Sequence, residues 1–405
     1  MRQLGNQNIN GVDSTSAVVT SGTFFGNPAI YTNYTNSTYV PSKNVDGDVA
    51  RGFYENVREQ LGLNITDTIQ TDAIDPSAYS LNMFTPDELI DNGIVSYYGY
   101  DYLGKIQSGS SSLDDYYTKK DNNNNYTRDI DAFRPNYIAG YISDKFIFND
   151  LIFNIGVRVD RFDANQKVLK DKYLLFETYT VGEERAAGLL PNDPTNPGYQ
   201  IPSNIGDDYY IYVDNSNSPR KPVGFRNGDT WYDSDGNEIT NLDALTKTGG
   251  TSGGIQPFLK NPDDAQKSRI SPKIFEDYSP QVNVMPRVAF SFPISDEAYF
   301  AAHYDILTQR PQALGLIRFN PVSYSNLARG QSATVSNPDL KPEKTTDYEI
   351  TFQQKLSKSS ALSISAFYKE LRDMIQIINV QFAHPISYST YGNIDFGTVK
   401  GLTFA

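Results

Sequence analysis

Along residues 347–369 apolar and polar side chains alternate with a period of two. Tyr348, Ile350 and Phe352 alternate with Asp347, Glu349, Thr351 and Gln353. Beyond a polar turn at Lys358 and Ser359, Leu362, Ile364, Ala366 and Tyr368 alternate with Ser363, Ser365, Phe367 and Lys369. That is the period of a strand with one apolar face, so the stretch predicts a hairpin, with Phe367 a misfit on the polar side. The pattern recurs twice upstream. A strand over Tyr137 to Phe146 and a turn at Asn149 and Asp150 lead to Leu151, Phe153, Ile155, Val157 and Val159, set against Asn154, Gly156, Arg158 and Asp160. Here Ile152 is the exception. Val282, Val284, Val288, Phe290 and Phe292 then share a face with Pro286, and beyond a turn at Ile294 to Glu297 so do Phe300, Ala302, Tyr304 and Ile306, with His303 and Asp305 opposite. Pro286 predicts a bulge or the outer end of its strand. Gly392 to Ala405 predicts a seventh strand.

A face carrying Asp347, Glu349 and Lys369 is unsuited to the core of a soluble sandwich. It suits a barrel with lipid outside and water inside. The connections agree, since short turns near Asn149, Asp296 and Lys358 alternate with long segments, the asymmetry of outer-membrane barrels. The fold class expected is therefore all-β, an antiparallel transmembrane β-barrel with long extracellular loops that contain short helices. Seven strands are odd and too few to close, so the expectation is an incomplete barrel, an internal piece of a larger one. MRQLGNQNINGVDS lacks the apolar segment of a secretory signal, and Met1 is accordingly expected not to be the start of the full product. The expected division is residues 1–135 as a long extracellular loop region and 136–405 as the partial barrel, with the loop 165–281 external.

Composition narrows the function classes. There is no cysteine, so disulfides and thiolate metal sites are excluded. A net charge of -13 argues against nucleic acid as a partner. Mean hydropathy of -0.49 and the lack of a long apolar run exclude a helical membrane protein, though not a barrel, whose strands are apolar only at every second position. No HExxH, GxSxG or GxxxxGK[ST] pattern occurs and only His303 and His384 represent histidine, so no enzyme, cofactor or metal is expected. His303, on a polar strand face, is expected to form hydrogen bonds in the interior, with a substrate contact as the competing reading.

Two short helices are expected before Pro135: one on the stripe Ala50, Phe53, Val57 and Leu61, capped by Asp48 and ended by Gly62, and one opened by the capping box of Thr85 and Glu88. From Ala164 to Gln281 the chain reads as one very long Asn-, Asp-, Gly- and Pro-rich loop. Trp231 and Tyr232, before the turn DSDGNE, mark a small hairpin within it. The Asp233, Asp235, Asn237 and Glu238 cluster lacks EF-hand spacing and reads as an Asp-Gly turn. Candidate substrate contacts are the loop aromatics Tyr97, Tyr98 and Tyr100, in VSYYGYDY, and Trp231, with plain packing the competing reading.

NPDLKPEKTTDYE, from Asn337 to Glu349, followed by a hairpin ending in AFYKELRDMI, resembles the barrel signature of the TonB-dependent outer-membrane receptors. The likeness lies in the two-proline spacing, the Tyr-Glu strand start and the aromatic return strand; Thr351 departs from it, where the family often has glycine. MPRVAFSFPISDEAYFAAHYDILTQRP is similar to a barrel hairpin of the same family. The resemblance implies active uptake across the outer membrane of a Gram-negative bacterium. The partners implied are the outer-membrane lipid, a small-molecule, glycan or peptide substrate, and the TonB complex, the last reached through a plug domain that is not present in this chain. A passive porin-like or surface-binding barrel and a secreted β-rich adhesin are the alternatives.

Overall fold

The computed structural model describes residues 41–44, 46–64, 74–91, 95–190, 198–241 and 255–405, and the backbone alone of strands between residues 12 and 39. Contacts divide the chain into two compact units, residues 1–132 with 261–272, and residues 133–260 with 273–405.

In the second unit, seven long strands are described: β1 (Asn136–Phe148), β2 (Leu151–Asp163), β3 (Gln281–Ser295), β4 (Ala298–Gln309), β5 (Glu343–Lys355), β6 (Ala361–Val380) and β7 (Tyr388–Phe404). Each pairs antiparallel with the next in chain order, and Thr334–Val335 adds a short parallel pairing to β7. Among the described residues, no helix is long and apolar enough to cross a membrane.

Register aligns the apolar positions into rows. Phe292, Phe300, Phe352, Ile364 and Phe404 form the row nearest the short turns. Two steps away, Val288, Tyr304, Tyr348 and Tyr368 form another, with ring centroids 5.1 Å apart for Tyr304 and Tyr348 and 6.1 Å for Tyr348 and Tyr368. Ile142, Phe148, Val282, Ile350 and Leu402 are all more than half exposed on this face, so it is not the core of a water-soluble sandwich. Phe367 does fall on the polar face. It lies over Gly401, where a Cβ would sit 2.7 Å from the ring, so the glycine makes room for it.

Pro286 forms no bulge. It pairs with Val157 inside a regular ladder, while the pairing of β3 with β4 begins only at Arg287, so the missing N–H faces the side without a partner strand. The last hairpin is longer than its sequence pattern indicates: β6 runs to Val380 and β7 starts at Tyr388, leaving only residues 381–387 between them. Within it Asp373 takes φ +58 and the pairing jumps from Leu371 with Gly397 to Ile375 with Asn393, which restores the original phase. The NPDLKPE segment seals this irregularity. Glu343 Oε1 accepts the Ile375 N–H at 3.1 Å, and Asn393 Nδ2 donates to Asp373 O at 2.7 Å and Lys341 O at 2.9 Å.

The segment expected to be one long loop is folded. Glu238–Ile239, Thr230–Asp233, Pro222–Asn227, Tyr210–Val213 and Gln256–Pro257 form a five-stranded sheet in that spatial order. Its two sides bury separate clusters, one around Trp231, Tyr212 and Val223, the other around Phe225, Ile211 and Val181. The hairpin expected at Trp231 is present, pairing with Ile239 across the turn. The Asp233 carboxylate accepts from the backbone N–H groups of Asp235 and Asn237, which makes this an Asp-Gly turn.

In the first unit both expected helices form, as Phe53–Gln60 and Pro86–Asp91. Thr85 and Glu88 close a reciprocal capping box, and Gly62 follows the first helix at φ +65. Asp48 does not cap that helix. The Glu55 carboxylate accepts the Gly52 N–H instead, and Asp48 pairs with Lys120 at 3.1 Å. A third helix, Leu113–Thr118, opens on a Ser112 and Asp115 capping box that the sequence pattern had not indicated.

Candidate functional site

The polar face is assembled by register as well. Arg287 pairs with Asp305, Asp305 with Asp347, and Asp347 with Lys369, so the four follow one another across β3 to β6. Asp347 Oδ2 accepts from Lys369 Nζ at 2.6 Å, while its Oδ1 is buried without a hydrogen-bond partner among the described residues. Carboxylates directly opposite one another destabilise a strand pair, and the Lys369 ion pair with Asp347 offsets this at one end of the row. One step nearer the turns His303 faces Glu349, with Nε2 4.0 Å from Oε2, which places His303 in the polar row expected of it.

Toward the long connections the same face opens into a cavity of about 590 Å³. Tyr137 from the start of β1, Arg158 and Asp160 from β2, and Asn283 and Arg287 from β3 supply its polar wall. Phe133, Phe162, Met285, Leu307 and Ile317 supply apolar surface. The β2 side is knit together: Arg158 Nε donates to Asp160 at 2.8 Å, Tyr137 donates its hydroxyl hydrogen to Asp160 at 2.6 Å, and Arg158 donates in turn to the Tyr137 hydroxyl at 2.8 Å. Arg310, just past β4, has its guanidinium carbon 4.3 Å from the Tyr137 ring centre and 4.2 Å from that of Phe162. The segment Gln309 to Gln312 also borders a second cavity, of about 440 Å³, walled by Glu343, Ile375, Ile377 and Tyr391. A site of this volume with few charged groups in an apolar lining is the usual form of a small-molecule pocket.

The four aromatic candidates are divided between the two units. Tyr97, Tyr98 and Tyr100 belong to the first unit and Trp231 to the second. Tyr97 is buried and donates its hydroxyl hydrogen to the Arg128 carbonyl at 3.0 Å, and burial raises its pKa. Tyr98 is partly exposed, and Tyr100, bridged to Ile106, is exposed. Trp231 is 1% exposed, packed edge-on against Tyr173 at 5.5 Å. Sequence reasoning passed over Tyr137, Arg287 and Arg310 as site residues. Arg287 and Arg158 were visible only as polar-face positions, and Arg310 lies beyond the last alternating residue of its strand.

The folded segment docks on the β6–β7 connection. Leu174 and His384 form a parallel bridge, His384 N–H donates to Tyr173 O at 2.9 Å, and Tyr388 donates its hydroxyl hydrogen to Lys172 O at 2.7 Å. The His384 ring packs on Phe176 at 6.0 Å, and burial lowers its pKa to about 4, so the imidazole is neutral at pH 7. Among the described residues no group of three or more acidic or histidine side chains is placed to hold a metal ion.

Residues 3–405 match the family described as TonB dependent receptor-like, beta-barrel. The chain belongs to that family. No curated protein sequence matches it. Among solved structures it is similar to the Serratia marcescens hemophore receptor HasR, solved in complex with its hemophore HasA and heme, at 15% identity and a TM-score of 0.34, covering 68% of this chain and 32% of that one. It is also similar to the FrpB iron transporter of Neisseria meningitidis, at 12% identity and a TM-score of 0.28 over 67% of this chain and 24% of that one. A third is the ferric-catecholate import receptor Fiu of E. coli K12, at 10% identity and a TM-score of 0.29 over 69% and 28%. The chain thus spans about a third or less of the length of these structures. Barrels of the TonB-dependent receptor family are outer-membrane proteins, and its members are transport receptors, not enzymes. In a TonB-dependent receptor barrel the Phe and Tyr rows face lipid and the row from Arg287 to Lys369 faces the interior.

Proposed function

We propose that this protein supplies barrel wall to an active uptake receptor in the outer membrane of a Gram-negative bacterium. In this reading its polar face and loop-end cavity hold a scarce substrate, and coupling to the TonB complex runs through a plug domain of the kind the family carries. Residues 1–135 form an external region, residues 136–405 the membrane part, and the folded segment 165–281 an external cover. The observation that carries the reading is the cavity of about 590 Å³ at the long-connection end of the polar face. Substrate leaving the outside medium would meet it before the polar rows below. Siderophore, glycan and peptide all remain within the class. The test expresses the receptor in a Gram-negative host and follows labelled substrates of these three kinds, with and without a working TonB complex. Uptake that needs both the receptor and the TonB complex supports the proposal. Uptake that persists when the complex is lost means passive conduction, and the coupling is then wrong.

A further inference from the structure

Among the described residues the loop-end cavity is lined by more cations than anions. Its lining includes three arginines, Arg158, Arg287 and Arg310, and one carboxylate, Asp160. Asp160 is committed, since Arg158 and Tyr137 both donate to it. Arg287 and Arg310 have no ion-pair or hydrogen-bond partner among the described residues. Asp305 stands opposite Arg287 in register without pairing to it, and does not line the cavity. Arg310 is held by the Tyr137 and Phe162 rings, contacts that engage the guanidinium face and leave its N–H edge unspent. In a chain with 48 acidic and 35 basic residues, two unpaired guanidiniums in one cavity are not a consequence of overall composition. The neighbouring Phe133, Met285, Leu307 and Ile317 would cover an apolar or aromatic body.

We infer that this cavity selects a small ligand with an apolar body and at least one carboxylate or similar oxyanion, which Arg287 and Arg310 bind together. The two guanidiniums fix the anionic end, because each offers N–H donors in a geometry that matches a pair of oxygens. The inference rests on the reading of the cavity as the substrate site, and it narrows that substrate to an anion.

The test titrates the purified receptor in detergent with dansylglycine, an aromatic carboxylate, and with dansylamide, its neutral counterpart, following dansyl fluorescence. The expected result is binding of the carboxylate at least roughly tenfold tighter than the amide, the order given by one charge-assisted contact. The preference should weaken with added salt. In the double variant Arg287→Gln with Arg310→Gln the preference disappears while amide binding stays. Arg287→Lys with Arg310→Lys restores part of it, and this separates loss of charge from loss of fold. Equal affinity for the two probes, no saturable binding of either, or a preference untouched by the double Gln variant overturns the inference. Because this titration needs no energised membrane, it is independent of the uptake test. Carboxylate selection in a barrel that conducts passively would leave the inference standing and remove only the coupling.

Discussion

Arg226 has no exposed side-chain surface, yet it is charged. Burial opposes that charge, but the Tyr212 hydroxyl at 2.9 Å and the Asp171 carboxylate at 2.8 Å outweigh it and raise the guanidinium above its ordinary pKa. The rings of Tyr173 and Trp231 stand 4.5 and 5.5 Å from its central carbon. Removing one partner of a buried pair leaves the other charge uncompensated, at a cost of about 3 to 5 kcal/mol. Asp171→Ala is therefore expected to open the five-stranded sheet, read as lost amide hydrogen-exchange protection across Tyr210–Val213 and Pro222–Asn227. Adding Arg226→Met should recover much of the protection. A single variant that exchanges like the parent would show that the pair contributes nothing. Trp231 was read from the sequence as a loop aromatic that could contact ligand, with plain packing the competing reading. Its burial comes from partners distant in sequence, such as Phe382 at 6.2 Å, and no local pattern signals them.

At the scale of the strand, legibility was highest. A period of two survives any length of intervening loop, so the three hairpins and their short turns were readable from it, though imperfectly over Tyr137 to Phe146, down to Asn149 at φ +53 in the first turn. The strand β5 supplies a direct test of the two faces. Ile350→Arg puts a charge on the lipid side at a cost of up to about 4 kcal/mol near the midplane, and less toward the aromatic rows. The expected outcome is a marked loss of receptor recovered from the outer membrane. Gln353→Arg, three residues on and on the polar face, should be recovered like the parent. Equal recovery of the two would mean that the faces are wrongly assigned. What the pattern did not show was the far end of β6, because the irregularity at Asp373 interrupts the alternation before resuming it in phase.

Across the whole molecule the long connections were the least legible part. Their apolar residues, Ile211, Val213, Phe225 and Trp231 among them, fall in short runs separated by Asn-, Asp- and Gly-rich stretches, with no period carried from one run to the next. Pairings such as Gln256 with Val213 join distant residues, so the sheet exists only once the chain has closed on itself. The cavity was partly legible, since Arg158 and Asp160 could be placed on the polar face, but the meeting of Arg310 with Tyr137 depends on a loop path. One pH effect belongs at this scale. His384 holds a pKa of about 4 when docked, below its ordinary 6.5, so docking favours the neutral ring. The stabilisation is full above pH 6.5 and is lost as pH falls through about 4, by roughly 1.4 kcal/mol per unit and about 3 kcal/mol in all. Protease nicking near residues 381–387 should accordingly rise between pH 6.5 and 4 and stay flat in His384→Gln. A parent profile that is also flat would separate the histidine from the docking. The chain has one tryptophan and no cysteine. Since that indole sits inside the five-stranded sheet and no other element carries one, its ultraviolet emission is a built-in optical probe of that sheet alone, silent about the long strands. A single cysteine added anywhere else would then take a second dye without competition, and the distance between the two could be followed as substrate arrives.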